Sequence, residues 1–280
     1  MKLYTIEAGF FKLDGGAMFG VVPKSIWNKL NPADENNLCT WAMRCLLIET
    51  GDKKILIDTG IGNKQDAKFF SHYYIHGNTL EDSLAKHGFS KDNITDVFLT
   101  HLHFDHVGGA IVRVGDELVP AFRNATYWSN KQHWEWAIKP NDREKASFLK
   151  ENILPIKDSG RLQFVDVKDG ISIFDSGITL KFVFGHTDAM MLPTIQYKGK
   201  TIVYMADLFP SIAHLPLPYI MGYDMFPLKT LTEKKSFLQE ALEGDYILFF
   251  EHDPKVECCT VQMTDKGIRV KDTFKLQEII

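Results

Sequence analysis

The chain has 280 residues, enough for one large domain or two modest ones with a substantial core. Its composition, 45% apolar and 24% charged with a net charge of −4, is that of a globular protein and includes no Lys/Arg cluster of the kind that tracks nucleic-acid phosphates. No apolar run is long enough to span a membrane, and the N-terminus lacks the apolar stretch and cleavage pattern of an export signal. The four cysteines, Cys39, Cys45, Cys258 and Cys259, have neither CxxC nor disulfide-framework spacing, so buried, reduced thiols and a cytoplasmic location are expected.

In chain order, RCLLIET from Arg44 and KKILIDTG from Lys53 flank Gly51-Asp52 and predict a hairpin. TLEDSLAKHGF opens with a Thr-x-x-Asp cap at Thr79 and closes at Gly88, which predicts a helix. ITDVFLT from Ile94 predicts a strand, ATYWS from Ala125 another, and KQHWEWAI a helix after it. The strands RLQFVDV, GISIF and ITLKFVFG follow, then the hairpin PTIQYKGKTIVYMAD turning at Lys198-Gly199-Lys200. LTEKKSFLQEALEG from Leu231 predicts a capped helix, and DYILFFEHD from Asp245 a last strand. Strands dominate both halves and nothing marks a linker. One α/β domain over residues 1–280 is expected, with two sheets covered by outer helices.

Residues 100–109 read THLHFDHVGG, which crowds His101, His103, Asp105 and His106 into one turn. Such groups are costly to bury unless something satisfies them. Three other apolar strands also end in a ligand-type side chain: FVFG runs into His186, VYMA into Asp207 and ILFFE into His252, as DVFLT runs into His101. His72, His76, His87 and His133 lack that placement and read as surface or internally satisfied residues. Five imidazoles and two carboxylates are too many for one tetrahedral zinc, but suit two ions sharing a carboxylate and a hydroxide. A thiolate-free set favours zinc, with iron, manganese and cobalt also suited.

THLHFDHVGG matches the HxHxDH motif of the metallo-β-lactamase superfamily, and ILIDTGIG resembles that superfamily's first motif. The resemblance runs from Leu3 to about His252 and implies an αββα sandwich. It implies that His101, His103 and His186 hold one metal, that Asp105, His106 and His252 hold the other, and that Asp207 bridges them. Asp58 would support the centre from behind, and Asp105 and Asp207 would be the catalytic carboxylates. Exported β-lactamases, glyoxalase-II-type thioesterases, RNA-processing members and flavodiiron proteins fit less well. Only 28 residues follow His252, and neither a basic surface nor a nuclease or flavodoxin module is apparent.

KLDGGAMFGVVPKSIW from Lys12, MADLFPSIAH and YDMFP resemble the quorum-quenching N-acyl-homoserine lactonases, in particular their YtnP-type subgroup. That resemblance implies a dinuclear metal hydrolase opening a lactone ring. Met18, Phe19 and Phe104 would form an apolar pocket, with the first two on a mobile lid unless they are ordinary core. Two departures bear on the substrate. Relatives read GHSxGH where this chain reads GHTDAMM, with Met190 at the second histidine. The tyrosine that some members carry three residues after the bridging aspartate is Pro210 here, which leaves Tyr223 or His214 to contact the lactone. The alternatives are a phosphotriesterase or aryl-esterase on the same centre and a non-catalytic ligand-sensing module. The expected partner is a small lactone or ester, with no nucleic acid or membrane; a homodimer is compatible with this reading.

Overall fold

The computed structural model describes residues 1–174 and 176–279. Its backbone contacts divide the chain into two compact units, the first built from residues 1–10 and 43–167, the second from residues 11–42 and 168–279. The strands in chain order are β1 (Lys2–Asp14), β2 (Leu38–Thr50), β3 (Lys53–Ile57), β4 (Asp96–Phe98), β5 (Ile111–Val114), β6 (Glu117–Pro120), β7 (Thr126–Asn130) and β8 (Leu162–Val165). They are followed by β9 (Ile171–Ile173), β10 (Ile178–Val183), β11 (Met190–Tyr197), β12 (Lys200–Tyr204), β13 (Ile247–Phe249), β14 (Cys258–Thr264) and β15 (Gly267–Phe274).

The first unit contains most of a six-stranded sheet of order β1-β2-β3-β4-β7-β8. The β2–β3 hairpin closes through Gly51-Asp52, with Gly51 at φ 54° where a side chain would be strained. From β3 to β8 the strands run parallel, so their C-terminal ends share one edge. Helix Leu80–Lys86 joins β3 to β4 and begins with the expected capping box between Thr79 and Asp82. Leu84, Val97, Leu99, Tyr127, Trp134 and Ile153 lie in one buried apolar cluster beneath these elements.

Two glycine-bearing segments interlock at that sheet edge. Thr59 donates through both its N–H and its hydroxyl to the His106 carbonyl at 2.8 Å, and the Gly109 N–H donates to the Gly60 carbonyl at 2.9 Å. A Cβ at Gly108 would lie 2.1 Å from the Ile61 oxygen, and one at Gly109 2.2 Å from the Thr59 oxygen. The segments after β3 and β4 therefore touch backbone to backbone, which only glycine permits.

The second unit contains a seven-stranded sheet of order β15-β14-β13-β12-β11-β10-β9. β10, β11 and β12 form an antiparallel meander, and β13 pairs parallel with β12 after helix Pro227–Glu243. β10, β12 and β13 thus point the same way. The helix starts four residues before Leu231, because Pro227 takes its first turn, where a missing N–H costs nothing. The β11–β12 turn is the two residues Lys198 and Gly199, at φ 47° and 75°, rather than three.

Among the elements not expected are β1, the β5–β6 and β14–β15 hairpins, and helix Lys150–Asp158 with Pro155 inside it. The four cysteines are buried and stand outside any disulfide. Among the described residues, no helix is long and apolar enough to cross a membrane.

Gly109→Ala should lower stability to urea by about 1–3 kcal/mol or more, since backbone must move to admit the methyl group. Gly115→Ala, with φ 60° but open space around the new Cβ, should cost on the order of 1 kcal/mol. Equal losses would mean that the backbone contact is not tight.

Candidate metal centre

Four of the expected ligands follow their strands at the same interval. His101, His186, Asp207 and His252 each lie three residues beyond the last residue of β4, β10, β12 and β13, at Phe98, Val183, Tyr204 and Phe249. Each strand supplies a rigid base, and the short segment beyond it carries the ligand.

In the first unit, His101, His103, Asp105 and His106 are all buried. Asp58, immediately after β3 with φ 57°, is fully buried and organises them. Its carboxylate accepts the Thr100 N–H at 2.8 Å, the Thr100 hydroxyl at 2.6 Å and His106 Nδ1 at 3.2 Å. The Thr100 hydroxyl directs its hydrogen at Asp58, so its oxygen is left to accept from His101 Nδ1 at 3.1 Å. His103 Nε2 donates to Glu144 Oε1 at 2.9 Å. The inward nitrogens, His101 Nε2 and His103 Nδ1, consequently face each other at 3.1 Å. His133, expected to be unremarkable, is internal, and its Nε2 accepts the Leu102 N–H at 2.9 Å, pinning the backbone between two of these histidines.

The second unit repeats the logic with different partners. His186 Nδ1 donates to Asp224 Oδ1 at 2.8 Å, and His252 Nδ1 to the Ala42 carbonyl at 2.7 Å. Their Nε2 atoms approach the two oxygens of Asp207, each at 3.1 Å. Asp207 follows Ala206, held at φ 41°, so a left-handed residue aims the carboxylate.

In its neutral form each ring has its one N–H on the outer acceptor, so each inward nitrogen then presents a lone pair. Lone pairs facing lone pairs or carboxylate oxygens in a buried setting repel, unless protons or cations lie between them. Burial alone would push the His186 imidazole down, but Asp207 and Asp224 outweigh it and hold it up at about 10. Neutral imidazoles with fixed outer partners beside hard carboxylates are the donor chemistry of divalent zinc and its neighbours, and the residues in each unit fit such ions.

The expected substrate residues divide. Phe104 follows His103 and packs against Tyr73 and Phe69, with ring centroids 4.8 and 5.6 Å apart. Tyr73 and Phe69, from the segment around helix Ala67–Phe70, were not expected to contribute. Burial, and then the charge of Asp105, push the Tyr73 hydroxyl up to about 12, so it remains a donor. Met18 and Phe19, expected on a mobile lid or in the core, are both buried on the short helix Gly15–Phe19. The Phe19 ring stacks on His214 at 4.6 Å and on Trp27 at 5.2 Å, as a core residue does.

His214 is corrected as a substrate contact. Its ring nitrogens are engaged by Ser211 Oγ at 2.8 Å and the Met18 carbonyl at 2.9 Å, and burial drives its pKa down to about 3. Tyr223 is partly exposed in the turn before Asp224. Pro210 uses its carbonyl to accept the His252 N–H at 3.2 Å, and Met190 packs inside β11 opposite Val183.

Residues 44–252 match the family model of the metallo-beta-lactamase superfamily. The chain is similar to an N-acyl homoserine lactonase of Bacillus cereus, with 29% identity over 91% of this chain and 94% of that one. A probable metal-dependent hydrolase of Staphylococcus aureus, of known structure, aligns with TM-score 0.85 and 29% identity over 100% of this chain and 98% of that one. A dizinc quorum-quenching lactonase, solved with a homoserine product, aligns with TM-score 0.81 over 98% of this chain and 95% of that one; at 22% identity this shows likeness of fold.

Without metal, His186 is protonated at pH 7, because its pKa sits near 10, whereas a ligand imidazole must be neutral. Adding zinc to chelator-stripped protein at pH 7 in weak buffer should release at least one proton per chain from this ring. Above about pH 10 the ring is already neutral and that contribution vanishes. No release at pH 7 would exclude His186 as a ligand.

Proposed function

The chain belongs to the metallo-β-lactamase superfamily, and from that premise we propose that it is a dinuclear metal hydrolase that opens the ring of N-acyl-homoserine lactones. The observation that carries this reading is five buried imidazoles whose outer nitrogens are each engaged by a fixed partner, which leaves the inner nitrogens for cations. In this reading, which follows the family resemblance of the motif, His101, His103 and His186 would hold one ion and Asp105, His106 and His252 the other, with Asp207 bridging and zinc the preferred metal. The likeness to lactonases over nearly the whole chain supports the lactone as substrate.

Such ions, held by these residues, would supply a water of lowered pKa and a Lewis acid for the ester carbonyl. The chain supplies the rest. Asp58, Glu144 and Asp224 hold three of the rings in the tautomer that leaves an inward lone pair. Asp207 takes the proton of the attacking water and delivers it to the ring oxygen as the carbonyl C–O bond breaks, which leaves a hydroxy acid. Phe104, Phe69 and Tyr73 form the wall against which an acyl chain is buried. The Tyr73 hydroxyl, still protonated beside Asp105, offers the polar contact that Pro210 cannot.

Lactone hydrolysis releases acid, so a pH-indicator assay over lactones of graded chain length tests the activity directly. Metal-replete protein that turned over no lactone but cleaved phosphotriesters would assign the centre to that chemistry instead. Each buried methylene is worth at most about 0.8 kcal/mol, roughly fourfold in affinity. Phe69→Ala should therefore raise KM progressively with chain length, with kcat and metal content little changed; a uniform loss across the series would remove Phe69 from the wall.

Asp207→Asn keeps the shape of the side chain but cannot carry a proton. It should lower kcat by roughly 10²–10⁴-fold, the usual contribution of general acid–base catalysis. Near-wild-type turnover would end the proton-carrier role.

A further inference from the structure

We propose that residues 141–148 form a strap that positions the motif histidine His103, with Glu144 as the positioning residue that commits Nδ1 of that ring to the metal. The inference rests on the dinuclear reading and adds to it a determinant of metal affinity from a segment that neither the sequence motifs nor the family match singles out.

The strap lies between helices Lys131–Ile138 and Lys150–Asp158. It grips two consecutive motif residues in different ways. Glu144 Oε1 takes the Nε2 proton of His103 at 2.9 Å, and the Ser147 carbonyl takes the Phe104 N–H at 2.9 Å. Phe148 lies against the His103 ring, with centroids 4.8 Å apart. The ring is thus fixed by its edge, by its face and through the backbone that follows it.

Glu144 is itself fixed. Its side chain is 1% exposed. Its second oxygen accepts the Trp136 indole N–H at 2.6 Å and the Asn141 amide at 3.4 Å, and Asn141 also receives the Glu144 N–H through its side-chain and backbone oxygens. Burying a carboxylate this deeply is expensive unless charge-assisted hydrogen bonds repay it, and two N–H donors converge on its second oxygen. With the Trp136 and Asn141 N–H groups already on its other oxygen, the Glu144 carboxylate is set to accept from His103 Nε2. Nδ1 is then the lone pair facing His101 Nε2. An isolated histidine would be free to present either nitrogen; this one is not.

The test is chelator competition on the full-length protein with zinc, alongside the visible absorption of the cobalt-substituted form. Wild type must first bind two equivalents; if it does not, the dinuclear reading fails and the strap is not at issue. Given two equivalents, Glu144→Gln should weaken one of them by about 10–100-fold, leave the other unchanged and alter the cobalt spectrum. The amide retains an acceptor for His103 but turns an N–H towards the Trp136 indole. Trp136→Phe in the Glu144→Gln background should therefore recover part of the loss.

Thermal unfolding of the metal-free forms separates positioning from plain stability. The proposal expects the metal-free Tm of Glu144→Gln to stay close to wild type. Unchanged affinity for both equivalents would overturn it, as would a metal loss fully mirrored by a fall in metal-free Tm. If Glu144→Gln does not fold, Trp136→Phe alone, which keeps the charge but removes its shortest donor, is read by the same two criteria.

Discussion

The constraint on which the candidate site depends is that a neutral imidazole has only one proton. Each of the five histidines spends it outward, on Thr100, Glu144, Asp58, Asp224 or the Ala42 carbonyl. In that neutral state four of the inward nitrogens are left as acceptors facing other acceptors at about 3 Å within their own unit. A buried arrangement of this kind is unstable as an empty shell and stable as a cation site. The outer acceptors thus do more than orient rings: they fix the polarity of the centre.

The fold serves that polarity by economical means. In each unit parallel-running strands stop at one edge, and each ligand follows within a few residues of a strand end, so the ligands inherit the stiffness of the sheet. The left-handed residues Asp58 and Ala206 stand at or beside functional carboxylates, where strained backbone is tolerated because the surrounding contacts hold it. Buried Lys234 acts as a further tie. Its ammonium donates to the carbonyls of His214, Pro216 and Tyr219 at 2.7, 3.2 and 2.7 Å, although burial lowers its pKa to about 7. That tie holds the loop whose His214 stacks on Phe19.

The ligand-bearing strand ends and the capped helix at Thr79 were legible in the sequence, because apolar runs ending in His or Asp and a Thr-x-x-Asp cap are local signals. Other features depend on packing that local patterns do not record. Helix Lys150–Asp158 carries an internal proline that argues against it, and the β14–β15 hairpin lacks a clean alternation of buried and exposed residues. Phe19 read as a lid because glycines flank it, whereas Gly15 is small because Trp27 and Cys39 press on it: a Cβ there would meet the indole at 2.3 Å. His133 and Glu144 were silent for a different reason. Each contacts the motif across tens of residues of chain, and nothing beside them in sequence signals that contact. The aromatic wall at Phe69 and Tyr73 was missed in the same way.

The most direct test of the central claim is anomalous diffraction from crystals of protein purified without chelator, with data collected on either side of the absorption edge of the metal found. Two anomalous peaks per chain are predicted, one within bonding distance of His101 Nε2 and His103 Nδ1 and the other beside His106 Nε2, with Asp207 contacting both. A single peak, or rings turned so that their outward nitrogens no longer meet Glu144, Asp58 and Asp224, would contradict the account.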